Sequence, residues 1–206
     1  MRVEHLEVFV EEPSMEAALG ILLPRVLGES VSYAIYNMGD KLQLLERLPG
    51  RLRAYASWLP ASWRILVLVD RDRDDCRELK QKLEAAAREA GLPTSSCRNH
   101  GTWYVANRIV VEELENWFFG DPDALRKAYP RIPRNLEAGA KFRDPDNIPF
   151  TWETIEKELR KRGYFKAGLA KIELARNVAP HMIPERNRSR SFQVFLRTLT
   201  ECMTSA

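Results

Sequence analysis

The sequence predicts an α/β fold in which a mostly parallel sheet carries helices on both faces, followed by a C-terminal helical appendage. Strand-like and helix-like segments alternate through the first 130 residues, and this alternation is typical of a parallel sheet. The segment "RILVLVD" (64–70) is almost continuously apolar, as expected for a central strand that is covered on both faces. After residue 130 the apolar residues recur at helical spacing.

Four strands are predicted from runs of apolar, β-branched and aromatic residues. The first covers residues 2–10, the second is "SVSYAIYNM" (30–38), and the third is 64–70. The fourth lies within residues 102–121, where it runs into a short helix. Ligands of such sheets bind beyond the carboxyl ends of the strands, so the residues that follow each strand are the first place to look for a site.

Helices are predicted between and after the strands. The second helical stretch starts at Asp40 and is predicted to break at Pro49-Gly50 before it resumes. The third begins at Asp74 and Asp75, whose carboxylates suit a helix N-terminus, and ends at Gly91. The other helical periods cover residues 13–27, 151–163, 165–179 and 191–202.

Charge is distributed unevenly along the chain. Residues 1–130 contain 17 Lys and Arg against 20 Asp and Glu, a net charge of −3, whereas residues 131–206 contain 15 against 9, a net charge of +6. We therefore expect an α/β domain over 1–130 and a basic, mainly helical extension over 131–206 that packs on it. Ordinary surface charge is the simpler explanation, since small domains often show such asymmetry, but acids suit metal ions and basic groups suit phosphates.

Composition points to a cytoplasmic protein that does not span a membrane. No stretch approaches ~18 uninterrupted apolar residues, and glutamates interrupt the apolar run near the N-terminus, unlike a signal peptide. Three cysteines without metal-binding spacing fit free thiols in a reducing compartment.

Acidic residues follow three of the predicted strands, at the carboxyl edge of the sheet. Gathered carboxylates repel one another unless a cation neutralises them, and hard oxygen ligands suit Mg²⁺ or Mn²⁺. Helix capping and solvated helix faces are the alternative explanations for individual members. The three clusters are Glu11, Glu12 and Glu16; Asp70, Asp72, Asp74 and Asp75; and Glu112, Glu113, Glu115 and Asp121.

Other acidic motifs fit less well. An EF-hand loop that starts at Asp70 would need Gly where Asp75 stands and Glu where Gln81 stands. A haloacid-dehalogenase phosphatase carries its Asp-x-Asp pair after the first strand rather than the third. A receiver domain with Asp70 as phospho-acceptor stays open, although the Lys expected after a fifth strand is not found.

The acids resemble the pattern of Toprim domains, which occur in topoisomerases, primases and OLD-type nucleases. "FVEEPSMEAAL" and "LVLVDRDRDD" are similar to their Glu and Asp-x-Asp segments. Three further segments resemble the bacterial Toprim-like family called domain of unknown function 4276, and with them the resemblance covers nearly the whole chain. They are "VEELENWFFGDPDALRKAYP", "GYFKAGLAKIELARNVAPHM" and "NRSRSFQVF".

This resemblance implies a nuclease that uses two divalent ions, Mg²⁺ or Mn²⁺, to hydrolyse phosphodiesters. We assign Glu11 as a metal ligand or general acid/base and Asp70 and Asp72 as metal ligands. Glu16 and Glu115 are candidates for the second ion, and Asp74 is a weaker one. Members of the family are often encoded beside an ABC/AAA-type ATPase, which implies phage defence or DNA repair.

Basic residues near the C-terminus are predicted to bind the nucleic-acid backbone. Arg186, Arg188 and Arg190 alternate with Asn and Ser in "RNRSRS", and Lys166 and Lys171 extend the patch. The alternative is a solvated loop that caps the last helix through its serine at position 191.

The tryptophans are predicted to be structural, and a second function is also consistent with the sequence. Trp103, Trp117 and Trp152 are expected in the core rather than as platforms for bases. Glu12 stands where Toprim domains have Gly, which favours a second hypothesis, a non-catalytic or conditionally active regulatory subunit of an ATPase assembly. Exposed edges of a small sheet also allow a homodimer.

Overall fold

The computed structural model describes residues 2–97 and 102–204 and has the predicted α/β architecture. Four strands form one fully parallel sheet in the order β2-β1-β3-β4. The chain order reverses between β1 and β3, so the crevice beyond their carboxyl ends is where this class of sheet binds ligands. The strands are β1 (His5–Val10), β2 (Ser32–Asn37), β3 (Trp63–Asp70) and β4 (Val105–Val110).

Eight α-helices cover both faces of the sheet within the described residues. Helices α2 and α3 pack on one face through leucines such as Leu48 and Leu83, and α1 packs on the other with the helices that follow β4. Their bounds are α1 (Pro13–Leu27), α2 (Lys41–Ala56), α3 (Cys76–Glu89), α4 (Leu114–Gly120), α5 (Pro122–Ala128), α6 (Thr151–Arg160), α7 (Lys171–Val178) and α8 (Arg190–Thr204).

The predicted break in the second helix is wrong, because α2 runs continuously through Pro49. Its buried residues, Leu44, Leu48, Leu52 and Tyr55, lie on both sides of the proline and form one apolar stripe against the sheet. Proline removes one backbone hydrogen bond from the helix, but tertiary packing along this stripe holds both halves in line.

Two helix termini also differ from the predictions. Asp75 is the N-cap of α3 and accepts hydrogen bonds from the backbone N–H groups of Arg77 and Glu78, whereas Asp74 does not cap the helix. Helix α7 begins only at Lys171. The residues before it, predicted as helix from 165, include Phe165 and Gly168 with φ of 46° and 120°, which no α-helix contains.

Aromatic side chains join α8 to the rest of the core. Trp117, Phe192 and Phe195 are fully buried, and the Trp117 ring centroid lies 5.0 Å from each phenylalanine ring centroid. These contacts agree with the predicted core role of Trp117. The division into a 1–130 domain and a 131–206 extension stays a prediction.

No helix within 2–97 or 102–204 is both long enough and apolar enough to cross a membrane.

Candidate functional site

Two buried carboxylates lie at the carboxyl ends of the central strands. Glu11 directly follows β1, and Asp70 is the last residue of β3. Their exposures are only 7% and 2%. The parallel arrangement of β1 and β3 brings these acids from distant parts of the chain to one edge.

A third carboxylate, Glu115, lies in the first turn of α4 and is fully buried. The loop between β4 and α4 follows the end of β3 closely, since Arg71 N–H donates to Val110 O and Asp72 N–H donates to Glu112 O, both at 2.8 Å. We call Glu11, Asp70 and Glu115 the carboxylate cluster.

The cluster holds buried oxygens that lack hydrogen-bond partners. Glu11 Oε2, Asp70 Oδ1 and both carboxylate oxygens of Glu115 have no donor within the described part of the chain. A buried polar atom without a partner costs free energy, and such exceptions call for an explanation such as an ion or a catalytic role.

Burial changes the proton affinity of all three groups. It raises the pKa of Glu11 to about 8, although the charge of Lys41 opposes the increase. It raises the pKa of Asp70 well above its ordinary value, and the negative charges of Glu11 and Glu12 add to the effect. The pKa of Glu115 rises to about 7, again through burial and against the opposing charge of Lys171.

Lys41 is the first cation of the site and begins α2 immediately after β2. Its Nζ lies 2.5 Å from Asp72 Oδ2, 2.9 Å from Asp74 Oδ2 and 3.1 Å from the Arg71 carbonyl oxygen. Burial alone would lower the pKa of this lysine, but hydrogen bonds to the two aspartates leave it raised. The ammonium therefore stays charged and neutralises the loop that follows β3.

Lys171 is the second cation and begins α7. Its Nζ lies 3.7 Å from Glu12 Oε2, and it is 5.8 Å from the ring centroid of Trp152. Burial alone would lower the pKa of Lys171, but the charges of Glu115 and Glu12 raise it well above its ordinary value. The lysine that was predicted to contact phosphate thus lies against the acids.

A cleft of about 700 Å³ opens beside the cluster. It includes Lys41, Asp72 and Glu113, whose charges act on members of the cluster. Glu113 Oε2 accepts a hydrogen bond of 2.9 Å from the Trp152 backbone N–H, which fixes the start of α6 against the loop before α4. The rest of the lining is Arg71, Arg73, Asp74, Glu112, Pro149, Phe150, Trp152 and Glu153.

The donor type at this edge suits Mg²⁺ or Mn²⁺, because the unpartnered atoms are hard carboxylate oxygens. The side chains do not form a ready-made cage: among residues 2–97 and 102–204, no group of three or more His, Cys, Asp or Glu is placed so that it could hold a metal ion.

Comparison with known proteins gives one match. Residues 10–200 match the family model described as "Domain of unknown function (DUF4276)". The chain belongs to this family. Neither a curated protein nor a solved structure was found to match it.

The DUF4276 chain does not bring every predicted ligand to the cluster. Asp72 reaches the cleft through a left-handed backbone with φ of 49° and is engaged by Lys41. Glu16 is exposed on α1 and lines a separate groove with Tyr33, Ile35 and Arg176. Its position in the first turn of α1 is explained by the helix dipole.

The "RNRSRS" segment of this DUF4276 protein is largely structural. Arg186 Nε and Nη2 donate to the two carboxylate oxygens of the fully buried Asp121, at 2.9 and 3.0 Å. Asp121 also accepts the Ile183 backbone N–H at 2.9 Å. The guanidinium predicted to bind phosphate thus compensates a buried charge.

The polar residues between the arginines point inward and are buried. Asn187 Nδ2 donates to the Trp117 carbonyl oxygen, and Ser189 Oγ donates to Asp146 Oδ1. Ser189 Oγ also accepts the Phe192 N–H, so Ser189, rather than Ser191, is the side-chain cap of α8. Ser191 Oγ instead accepts a hydrogen bond from the Trp117 ring N–H.

The remaining basic candidates, Lys166, Arg188 and Arg190, are exposed. Their contact with nucleic acid stays a prediction.

Sequence reasoning missed Lys41 and the aromatic part of the cleft. The position of Lys41 just beyond the end of β2, at the helix start that Asp40 predicts, is a signal by which it could be identified as a site residue. Trp152 was assigned to the core but is only partly buried, and it lines the cleft. No local pattern distinguishes such a tryptophan from a core residue.

Proposed function

We propose that this DUF4276 protein is a divalent-metal-dependent phosphodiesterase that acts on nucleic acid, a nuclease. One observation carries the proposal: the carboxylate cluster places unpartnered, buried acid oxygens at the ends of β1 and β3, beside an open cleft. The fold alone is compatible with many functions, whereas these side chains suit a specific chemistry.

Glu11, Asp70 and Glu115 would hold Mg²⁺ or Mn²⁺, together with Asp72 after it separates from Lys41. A bound divalent ion supplies Lewis-acid stabilisation of phosphate charge and lowers the pKa of a coordinated water. Binding requires side chains to reorient, since the described residues present no preformed cage. Binding of the ion would also offset the free-energy cost of burying three acids without a bound cation.

The chain's own residues have separate tasks in this proposal. Glu11 has two alternative roles: it either coordinates the ion as a carboxylate or, where it does not, uses its raised pKa in the metal-free site to hold and release a proton near neutral pH as a general acid or base. Lys41 and Lys171 keep the charge of the site near balance before substrate enters. Once released from the acids, their ammonium groups can contact phosphate oxygens.

The wider setting is proposed from the resemblance. The Glu and Asp-x-Asp segments support a relationship to Toprim domains and OLD-type nucleases. The role in phage defence or DNA repair with an ABC/AAA-type ATPase follows from the genes that often lie beside those of the family. A cytoplasmic location fits such a role. The homodimer suggested by exposed sheet edges belongs to the same set of proposals.

A regulatory subunit of an ATPase assembly is the second candidate, and one specific feature favours it. Lys171 already lies 3.7 Å from Glu12, the residue found where Toprim domains have Gly, and Glu12 also accepts a hydrogen bond from Ser14 Oγ. A site whose charges are balanced by lysines can be stable without a metal ion.

The test is cleavage of plasmid DNA, single-stranded DNA and tRNA in Mg²⁺ or Mn²⁺. We expect metal-dependent cutting that is lost in Asp70→Asn and retained in Glu16→Gln, the exposed acid on α1. Calorimetric titration with Mn²⁺ on the same samples separates the two candidates. A nuclease that needs its ATPase binds Mn²⁺ without cutting, whereas absence of both binding and cutting would reject the metal-dependent function.

A further inference from the structure

Two aromatic side chains of the cleft stand out from the rest of its polar lining. Phe150 and Trp152 lie at and just inside the start of α6, and both line the cleft. Phe150 is 54% exposed, although most large apolar side chains of this chain are buried. Single exposed apolar side chains are common on protein surfaces, and Trp58 is exposed to a similar extent, at 55%. What distinguishes the Phe150 ring is its position in a charged cleft beside a second aromatic side chain, where a ligand of the cleft could cover it.

The backbone at Phe150 holds the ring in this exposed position. Phe150 has φ of 51° and ψ of 59°, a left-handed conformation that bulky residues rarely adopt. Two hydrogen bonds fix the backbone that follows it: Thr154 N–H donates to the Phe150 carbonyl, and Trp152 N–H donates to Glu113. Strained residues that the surrounding structure retains are concentrated at functional sites.

Each ring is paired with a cation. The guanidinium carbon of Arg73 lies 5.2 Å from the Phe150 ring centroid, and Lys171 Nζ lies 5.8 Å from the Trp152 ring centroid. Lys171 also lies against the acids, through its contact with Glu12. The charge of Lys171 also acts on Glu115 and Asp70, so the aromatic and cationic groups at the cleft are close to the carboxylate cluster.

An unpaired nucleobase fits this combination. A base presents a flat π-face that stacks on an aromatic ring, and its phosphate is attracted by Arg or Lys. In a duplex these faces are covered by neighbouring bases, so a protein reaches them only in a single strand or a flipped nucleotide. A purely apolar ligand would leave Arg73 and the acids of the cleft without compensation.

The acids of the cleft set the conditions for binding. Asp72, Asp74, Glu112, Glu113 and Glu153 all line it and repel phosphate. Arg71 pairs with Glu112, and Lys41 pairs with Asp72 and Asp74, so part of this charge is already neutralised. A divalent cation would neutralise more of it, so we expect strand binding to be strongest when such an ion is present.

We propose that Phe150 and Trp152 form a stacking platform that selects single-stranded nucleic acid and positions an unpaired base beside the carboxylate cluster. The inference rests on the proposed nuclease function for its biological meaning. Its physical content, single-strand binding through these rings, can be tested without any cleavage.

The experiment measures anisotropy of a fluorescent single-stranded oligonucleotide and of a blunt-ended duplex in Ca²⁺, a hard cation that prefers oxygen ligands. Phe150→Gly is the test variant, because Gly adopts the left-handed conformation without strain and the fold is retained. Trp152→Leu is the second variant, since the Trp152 backbone N–H that bonds Glu113 is unchanged.

A matched control is Trp58→Ala, because Trp58 is 55% exposed but packs near Trp63, at the start of β3 and the opposite end of the strand from Asp70. We expect Phe150→Gly to weaken single-strand binding about 5- to 150-fold, the range of one lost base stack. Duplex binding should be weaker than single-strand binding in the wild type and unchanged in the variant.

The inference is overturned if Phe150→Gly and Trp152→Leu both bind the single strand as the wild type does, or if the wild type prefers the duplex. A wild type that binds single strands through Phe150 but neither binds Mn²⁺ nor cuts would reject the metal-dependent nuclease function and keep the platform. If the wild type cuts nucleic acid and both variants bind the single strand as the wild type does, the nuclease function is kept and the stacking platform is rejected.

Discussion

Lys41 Nζ lies 2.5 Å from Asp72 Oδ2, joining the start of α2 to the loop after β3. Asp72 is the second acid of the Asp-x-Asp pair that the sequence assigns to a metal. Its left-handed backbone turns the side chain toward Lys41, whereas Asp70 stays buried at the end of β3. The two acids of the pair therefore have different environments, one paired with an ammonium and one without a partner for Oδ1 among the described residues.

Replacing Lys41 by Met should raise the affinity for Mn²⁺. The ammonium competes for the carboxylates that would bind the ion. Because the Lys41 side chain is only 17% exposed, its charge is screened less than a surface charge and contributes at least about 1 kcal/mol, or about five-fold in Kd. Isothermal titration calorimetry measures the change. Lys157→Met, on the exposed face of α6, is the control, and weaker Mn²⁺ binding in Lys41→Met would contradict competition.

Replacing Glu115 by Gln should stabilise the metal-free protein at alkaline pH. The pKa of Glu115 is about 7 in the folded state, against 4.5 ordinarily. The folded state therefore binds the proton of Glu115 more tightly than the unfolded state does. This tighter binding adds to the free energy of unfolding. The contribution is fully present below pH 4.5 and is lost as the pH rises through 7.

Urea denaturation in EDTA at several pH values checks this. Wild-type stability should fall between pH 5 and 8, and Glu115→Gln should show a shallower slope and about 1–3 kcal/mol more stability at pH 8. Glu16→Gln, at an exposed position, should follow the wild type. If stability falls with pH at the same slope in Glu115→Gln and wild type, the pKa of Glu115 is not raised in the folded state.

Arg186 and Arg190 should behave differently although they lie in one basic motif. Arg186→Met leaves the buried Asp121 without its guanidinium partner and should cost about 3 kcal/mol of stability. Arg190→Met, at an exposed position, should stay within about 0.5 kcal/mol of wild type. Chemical denaturation of both variants compares them, and equal stabilities would contradict the structural role of Arg186.

Pro49→Ala should stabilise the protein, because α2 continues through the proline. Alanine restores a backbone donor and relieves the clash with the preceding turn, and we expect a gain of about 1–2 kcal/mol after the loss of proline's effect on the unfolded chain. Gly50→Ala, in the same turn with open space around its Cβ position, should gain about 0.5–1 kcal/mol. If thermal denaturation shows a Tm of either variant equal to or below that of the wild type, α2 is broken at Pro49-Gly50 after all.

Local physics made most of the fold predictable. The alternation of strands and helices, the parallel sheet, the buried strand "RILVLVD", the Asp75 cap and the left-handed Gly91 all follow from interactions between residues close in sequence. Parallel topology also predicted that Glu11, Asp70 and Glu115 would come to one edge, because it fixes where strands end.

The direction of individual side chains at that edge was decided by tertiary structure. Glu16 and Glu115 both lie in first helical turns, yet one faces solvent and the other is fully buried. Likewise, Arg186 turns inward because Asp121, some 65 residues away along the chain, is buried beneath it. The spacing of residues along the sequence does not indicate which distant residues will surround these side chains.

The sequence by itself determined the parallel α/β fold and a gathering of acids beyond its central strands, since both depend on local periodicity and strand direction. Only the tertiary structure decided that Lys41 and Lys171 balance those acids, that α2 runs through its proline, and that Phe150 and Trp152 line the cleft. The physical reason is that burial and ion pairing are set by packing between distant segments, which local patterns do not contain.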